Sequence, residues 1–147
     1  MKPTNEMHLR FLSASSNEAF ARTAVAAFAS QLDPTVDELC DLRTAVSEAV
    51  TNCIVHGYRN TIGMVYIDCM IYGEHTIQVK VKDRGCGIED VKQAMEPMFT
   101  TGGEERAGLG FAVMQSFTDH LKVRSKVGKG TTVVMEKDFS PRPRHHG

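Results

Sequence analysis

The chain has 147 residues, 41% of them hydrophobic, enough for one domain with its own core and no need of disulfide or metal staples. Seventeen basic residues against eighteen acidic give a formal net charge of -1, which argues against non-specific binding to a nucleic-acid backbone. No run reaches the about eighteen apolar residues of a membrane-spanning helix, and the N-terminus lacks a signal peptide's apolar stretch, so the expectation is a cytoplasmic protein that binds neither membrane nor nucleic acid.

Residues 7–14 alternate loosely and predict an edge strand. Ser16 is placed to cap a helix that runs to about Leu32, with Phe20, Ala24, Ala27 and Phe28 on one face and Arg22 pointing elsewhere. Asp33-Pro34 stops it. A second helix opens with a capping box, Thr35 and Glu38, and carries Leu39, Leu42, Val46, Ala49 and Cys53 at helical spacing. Gly57 or the 58–60 segment ends it.

Residues 64–72 and 76–82 alternate with period two across Gly73-Glu74-His75 and predict a hairpin with one face on a core. A short helix around 89–95, a glycine-rich stretch over 97–110, a helix over 109–118 and a second hairpin, 120–126 with 131–137, complete the order. Strands in hairpins argue against a doubly wound parallel sheet. The expected class is α+β: a two-layer α/β sandwich whose mixed, mostly antiparallel sheet carries helices on one face. One domain is expected over 1–138 and a flexible tail over 139–147, where His145-His146 reads as solvated. Cys40, Cys53, Cys69 and Cys86 are too scattered for a zinc site or disulfide framework.

Four short patterns carry chemistry. Glu48 and Asn52 stand four apart on the second helix, a carboxylate that can accept a proton beside an amide oxygen suited to Mg²⁺. Asp83 closes a strand and leads into Gly85 and Gly87, where backbone can turn without a Cβ. Gly108 and Gly110 are read as opening the last helix, whose free N–H groups would suit phosphate. Thr131 follows Gly130 at the start of the last strand. Each alone is also a solvated stripe, an ordinary turn or a plain helix start. His56 continues the Glu48/Asn52 register, where a histidine near a helix C-terminus already interacts with the dipole.

Taken in order, these patterns resemble the ATP-binding fold shared by histidine kinases, gyrase, a class of heat-shock chaperones and MutL, the Bergerat or GHKL fold. No G-x-x-x-x-G-K-[ST] loop occurs. The words VSEAVTNCIVHGY (46–58), PMFTT (97–101), ERAGLGF (105–111) and GKGTTV (128–133) are similar to those of the anti-sigma-factor serine kinases, over nearly the whole chain.

That resemblance implies ATP and ADP as ligands with Mg²⁺. Asp83 would accept from the adenine amine with Thr131 in support, and Gly85 and Gly87 would admit the nucleotide to the backbone. Asn52 would ligate Mg²⁺, while Thr101, Gly108 and Gly110 would line the phosphates under a lid over 97–110. Glu48 and Arg106 would be catalytic, as general base for a serine hydroxyl and as the cation at the terminal phosphate. Arg22 would dock partners. The implied partners are the sporulation sigma factor F, held in the ATP form, an anti-anti-sigma protein phosphorylated on serine, and a second copy in a homodimer. Gly102-Gly103 departs from relatives that carry a basic residue nearby. A stress-response sigma-factor kinase and a non-catalytic ATP-sensing module are the alternatives; a histidine-kinase or chaperone-type reading lacks the extra segments those proteins need.

Overall fold

Strict alternation of apolar side chains builds a sheet with one greasy face, and that face dictates where the helices go. The structure, a computed structural model, describes residues 1–95 and 103–139, with the backbone only over 103–109. The elements are β1 (Asn5–Leu12), α1 (Asn17–Ala29), α2 (Val36–Asn52), β2 (Met64–Tyr72), β3 (Thr76–Asp83), α3 (Val91–Ala94), α4 (Gly103–Phe117), β4 (His120–Lys126) and β5 (Gly130–Asp138). A 3₁₀ turn, Ser30–Leu32, follows α1, and a π-helical turn, Cys53–Gly57, follows α2.

The five strands lie in the order β1-β2-β3-β5-β4, and every neighbouring pair is antiparallel. The sheet is therefore not mixed, as the sequence suggested. β4 does run parallel to β3, but β5 folds back between them, so those two strands never pair. Val65, Ile67 and Cys69 of β2, Ile77, Val79 and Val81 of β3 and Val133 and Met135 of β5 are buried on one face. Against them pack Val25 of α1, Leu42, Val46 and Val50 of α2 and Phe111 and Met114 of α4, giving the α+β two-layer architecture.

The capping box of α2 is present in both halves: the Glu38 N–H donates to Thr35 Oγ1 at 3.0 Å, and the Thr35 N–H donates to Glu38 Oε1 at 2.9 Å. Ser16, in contrast, already has helical backbone and makes no side-chain cap bond. The turn before it satisfies the first donors instead, with the Asn17 N–H on Ala14 O and the Glu18 N–H on Ser15 O. The face of α1 also differs from expectation: Ala21, Val25 and Ala29 are buried, while Phe20 is 53% exposed and Ala27 is exposed. Small residues let α1 lie close to its neighbours, and Phe20 meets Phe11 edge-on at 6.4 Å.

α4 begins at Gly103, well before residue 109, because Glu104, Glu105, Arg106 and Ala107 are good helix formers that extend it upstream. Phe139, assigned to the tail by sequence, is buried, and its N–H donates to His75 O at 2.8 Å. The rest of the expected tail, 140–147, and the lid segment up to Gly102 lie outside the described residues. Among the described residues no helix is long and apolar enough to cross a membrane.

Candidate active site

Where α2 gives way to its π-helical turn, the Tyr58 N–H reaches back five residues to Cys53 O at 2.9 Å. The widened turn carries Gly57 against the end of β3. A Cβ on Gly57 would lie 2.8 Å from Asp83 Cγ, and one on Gly85 would lie 2.0 Å from Gly57 O. Only two glycines allow these backbones to pass, and their contact seats Asp83 at one end of a cavity of about 250 Å³. Val81, Phe111, Val127, Val133 and Ala94 supply its apolar walls; Asn52, Asp83, Thr131, Arg59 and Glu89 supply its polar groups. This mix of apolar wall and few polar groups suits a flat heterocycle with a polar edge.

Asp83 is 3% exposed. Its Oδ1 accepts the Gly85 N–H at 2.9 Å, and the Cys53 thiol and the Thr131 N–H also stabilise the carboxylate. Burial outweighs these and pushes the carboxyl above its ordinary value. A buried acceptor facing an apolar cavity selects a ligand with a complementary N–H donor.

Thr131 is held by a residue that sequence reasoning missed. Ser125 Oγ donates to Gly130 O at 3.0 Å and accepts the Ile88 N–H at 2.7 Å, so Thr131 Oγ1, 2.8 Å away, is left to donate to Ser125. The lone pairs of Thr131 are thereby free for the cavity. Ser125 could have been suspected as the position opposite Thr131 in the β4–β5 register. Cys53, Gly57 and Phe111 were read only as helix residues; their place at the site depends on the π-helical turn and the packing of α4, neither of which has a local sequence signature.

Glu48 and Asn52 meet α4 at Gly110. A Cβ there would lie 3.1 Å from Glu48 Oε2 and 3.3 Å from both amide atoms of Asn52. Asn52 lines the cavity, whereas Glu48 stands one helical turn behind it. Asn52 Nδ2 is buried with no hydrogen-bond partner among the described residues.

Asn52, Asp83, Gly87 and Thr131 thus line one cavity, with Gly85 behind it and Glu48 and Gly110 beside Asn52. Gly87, at φ +76°, takes backbone that a side chain would strain. Gly108 and Gly110 do not open α4: it starts at Gly103, so its unpaired N–H groups belong to its first turn and not to these two residues. Thr101 and the side chain of Arg106 lie outside the described residues. Arg22 is not at the cavity. On α1, its Nη1 lies 3.8 Å from Glu18 Oε1, which also accepts the Ser47 hydroxyl, and its Nε is buried with no partner among the described residues.

The chain is 60% identical over 138 residues to the anti-sigma F factor of Thermoanaerobacter sp., covering 93% of this chain and 96% of that protein. It is 59% identical over 138 residues to the anti-sigma F factor of Caldanaerobacter subterraneus, with the same coverage. The histidine kinase-like ATPase domain matches residues 13–137. The chain belongs to the anti-sigma F factor family of histidine kinase-like ATPases.

Membership accounts for the cavity: the ATPase domain of this family implies ATP binding, and the residues that converge here come from α2, β3, α4 and β5 within the matched span. The fold extends to more distant proteins. The RsbU and RsbW domains of a Mycobacterium tuberculosis protein superpose with a TM-score of 0.71 at 18% identity, over 99% of this chain and 35% of that one.

Proposed function

We propose that this anti-sigma F family member is a serine-protein kinase that holds sigma factor F in its ATP form and phosphorylates a serine of an anti-anti-sigma protein. The observation that carries the reading is the convergence of Asp83, Thr131 and Asn52 on one apolar cavity with Glu48 a helical turn away. Asp83 accepts from the exocyclic amine of adenine, and the apolar walls take the ring faces. Gly85 and Gly87 leave the backbone of the turn uncovered at those two positions beside the ring.

The residues present fit Mg²⁺. Asn52 Nδ2 is buried with no hydrogen-bond partner among the described residues, so no acceptor there pins the amide and its oxygen can turn to a cation; the described residues hold no group of three His, Cys, Asp or Glu that could bind a metal alone. An ion held by one amide oxygen, phosphate oxygens and water is the ordinary state of Mg²⁺ with a nucleotide. Bound there, it supplies charge neutralisation at the phosphates. Glu48 accepts the proton of the incoming serine hydroxyl; because phosphoryl transfer has a loose transition state, positioning matters more than base strength. Arg106 supplies a cation at the terminal phosphate, and Thr101, Gly108 and Gly110 belong to the segment that covers it. ADP remains after transfer.

Arg22 is proposed to dock both protein partners, and the chain to act as a cytoplasmic homodimer. A lid ordered by the terminal phosphate makes partner choice depend on the nucleotide. The position of Glu48, off the cavity wall, favours one second reading: an ATP-sensing module that binds without transferring phosphate. Incubation with γ-labelled ATP, Mg²⁺ and the anti-anti-sigma protein separates them. Label on a serine of that protein is expected; ATP binding without label leaves the sensor. Pull-downs of sigma factor F in ATP and in ADP test the switch, and equal capture in both would refute it.

A further inference from the structure

We propose that Tyr58 is a positioning residue for Asp83: its buried phenol pins the turn that aims the carboxylate into the cavity and so sets the preference for adenine over guanine. The inference rests on the nucleotide-site reading above. Tyr58 is 8% exposed, and its hydroxyl is committed at both ends. It accepts the Arg84 N–H at 2.7 Å and donates to Met64 O at 2.6 Å. An amide N–H can only donate, so the single phenol proton belongs to the Met64 carbonyl and the direction of the relay is fixed.

Three consecutive N–H groups follow Asp83, and each has a different anchor. Arg84 N–H goes to Tyr58 Oη, Gly85 N–H to Asp83 Oδ1 at 2.9 Å and Cys86 N–H to Gly57 O at 2.9 Å. The second anchor is Asp83 itself and moves with the turn. The third lies on the short segment that Tyr58 also belongs to. The first, through the phenol, ties the residue next to Asp83 to the start of β2; farther along the turn, the Gly128 N–H on Cys86 O and the Ile88 N–H on Ser125 Oγ tie it to the β4–β5 hairpin.

The ring is fixed as firmly as the hydroxyl. A Cβ on Gly63 would lie 2.3 Å from Tyr58 Cε1 and 2.5 Å from Cζ, so the ring rests directly on Gly63 backbone. Gly63 is itself tied to the residue after β1: its N–H donates to Ser13 Oγ at 3.0 Å, and the Ser13 N–H donates to Gly63 O at 2.8 Å. The β2–β3 ladder pairs Val65 with Asp83 without help from the phenol, so the strut serves the carboxylate's direction more than the sheet. Adenine offers an amine at the edge where guanine offers a carbonyl oxygen. A well-aimed carboxylate attracts the first and repels the second; a loosened one discriminates less.

The test is calorimetric binding of Mg-ATP and Mg-GTP to the full chain, to Tyr58→Phe and to Gly63→Ala. Tyr58→Phe keeps the ring and loses both hydrogen bonds of the hydroxyl, of which the one from the Arg84 N–H holds the turn, so ATP affinity falls about three- to tenfold. GTP affinity stays where it was, and the ATP-to-GTP ratio shrinks. Gly63→Ala keeps the hydroxyl on the ring but displaces both from their partners and shrinks the ratio in the same direction, which covers the case in which the first variant does not fold. An unchanged ratio in variants that bind ATP, or ATP and GTP weakened in parallel, overturns the role, because a merely structural residue would do just that. A wild-type chain that binds ATP but does not prefer it to GTP also overturns it. If the wild-type chain binds neither nucleotide, the functional reading fails first and takes this inference with it.

Discussion

Gly110 lies so close to Glu48 that a Cβ on it would stand 3.1 Å from Glu48 Oε2. The same Cβ would sit 3.3 Å from the amide of Asn52, so one hydrogen atom on α4 leaves room for both polar side chains of α2. The glycine also weakens its helix, since alanine is the better helix former by about 1 kcal/mol. Space at Glu48 is thus kept at the expense of local helix stability.

Gly110→Ala is expected to hold or raise the melting temperature while lowering phosphoryl transfer by about tenfold or more, because a small displacement of aligned groups is costly in rate. Thermal melting and a labelled-phosphate assay on the same sample read the two effects. A fall in both would mean that the new methyl disrupts the α2–α4 packing and does not act through Glu48.

Glu48→Gln and Asn52→Ala should separate chemistry from binding. The glutamine keeps the shape but cannot take a proton, so Mg-ATP affinity persists and transfer drops about 10²- to 10⁴-fold. Asn52→Ala weakens nucleotide binding in Mg²⁺ far more than in EDTA, as titration calorimetry in the two buffers would read. Equal transfer by Glu48→Gln would remove that residue from the mechanism.

Asp83→Asn should abolish ATP binding and alter how stability depends on pH. Burial holds the Asp83 carboxyl above its ordinary 3.8, so the folded chain binds that proton more tightly than the unfolded chain. The contribution of the neutral acid is complete below the unfolded value. It is lost as pH rises through the raised folded value and is constant beyond. Asparagine carries no such charge. Urea midpoints at a series of pH values should therefore shift in favour of the variant from about pH 4 upward and then level off. A shift in the opposite sense would mean that the carboxylate is better solvated than its burial implies.

Two of the four thiols should react in the native state. Cys40 and Cys86 are exposed, while burial raises the thiol of Cys53 and pushes that of Cys69 up to about 12. Mass spectrometry after brief iodoacetamide treatment should find label on Cys40 and Cys86 only. Saturating Mg-ATP should protect Cys86, which lines the cavity, and spare none of the labelling at Cys40. Unprotected Cys86 would place the nucleotide elsewhere.

Much of the fold was legible because its signals are local. Alternation over 64–72 and 76–82 gave the first hairpin, and Thr35 with Glu38 gave the start of α2. The signals that failed are those settled by distant atoms. Ser16 looks like a cap, but the preceding turn already satisfies the donors it would serve. Phe20 looks like core, but alanines fit the space against the sheet and α2, and Phe20 is left at the edge. Gly108 and Gly110 look like a helix start, yet the helix formers upstream carry α4 back to Gly103.

The site divides in the same way. Asn52 was legible from its spacing to Glu48, Asp83 as the polar end of a strand and Thr131 as the entry to the last one, and the cavity brings them together. Ser125 and Tyr58 were not, because each acts through one hydroxyl whose partners lie on other elements of the fold.

Val81, Val133 and Phe111 belong at once to the hydrophobic interior and to the wall of the crevice. No boundary layer insulates the binding surface from the material that keeps the protein folded. Changes that reshape the crevice for a different guest must also repack the interior, and random drift in the interior is felt by the guest. Evolution toward new specificity in this chain is therefore easiest through polar tips such as Asp83 and Thr131, and slowest through the aliphatic walls.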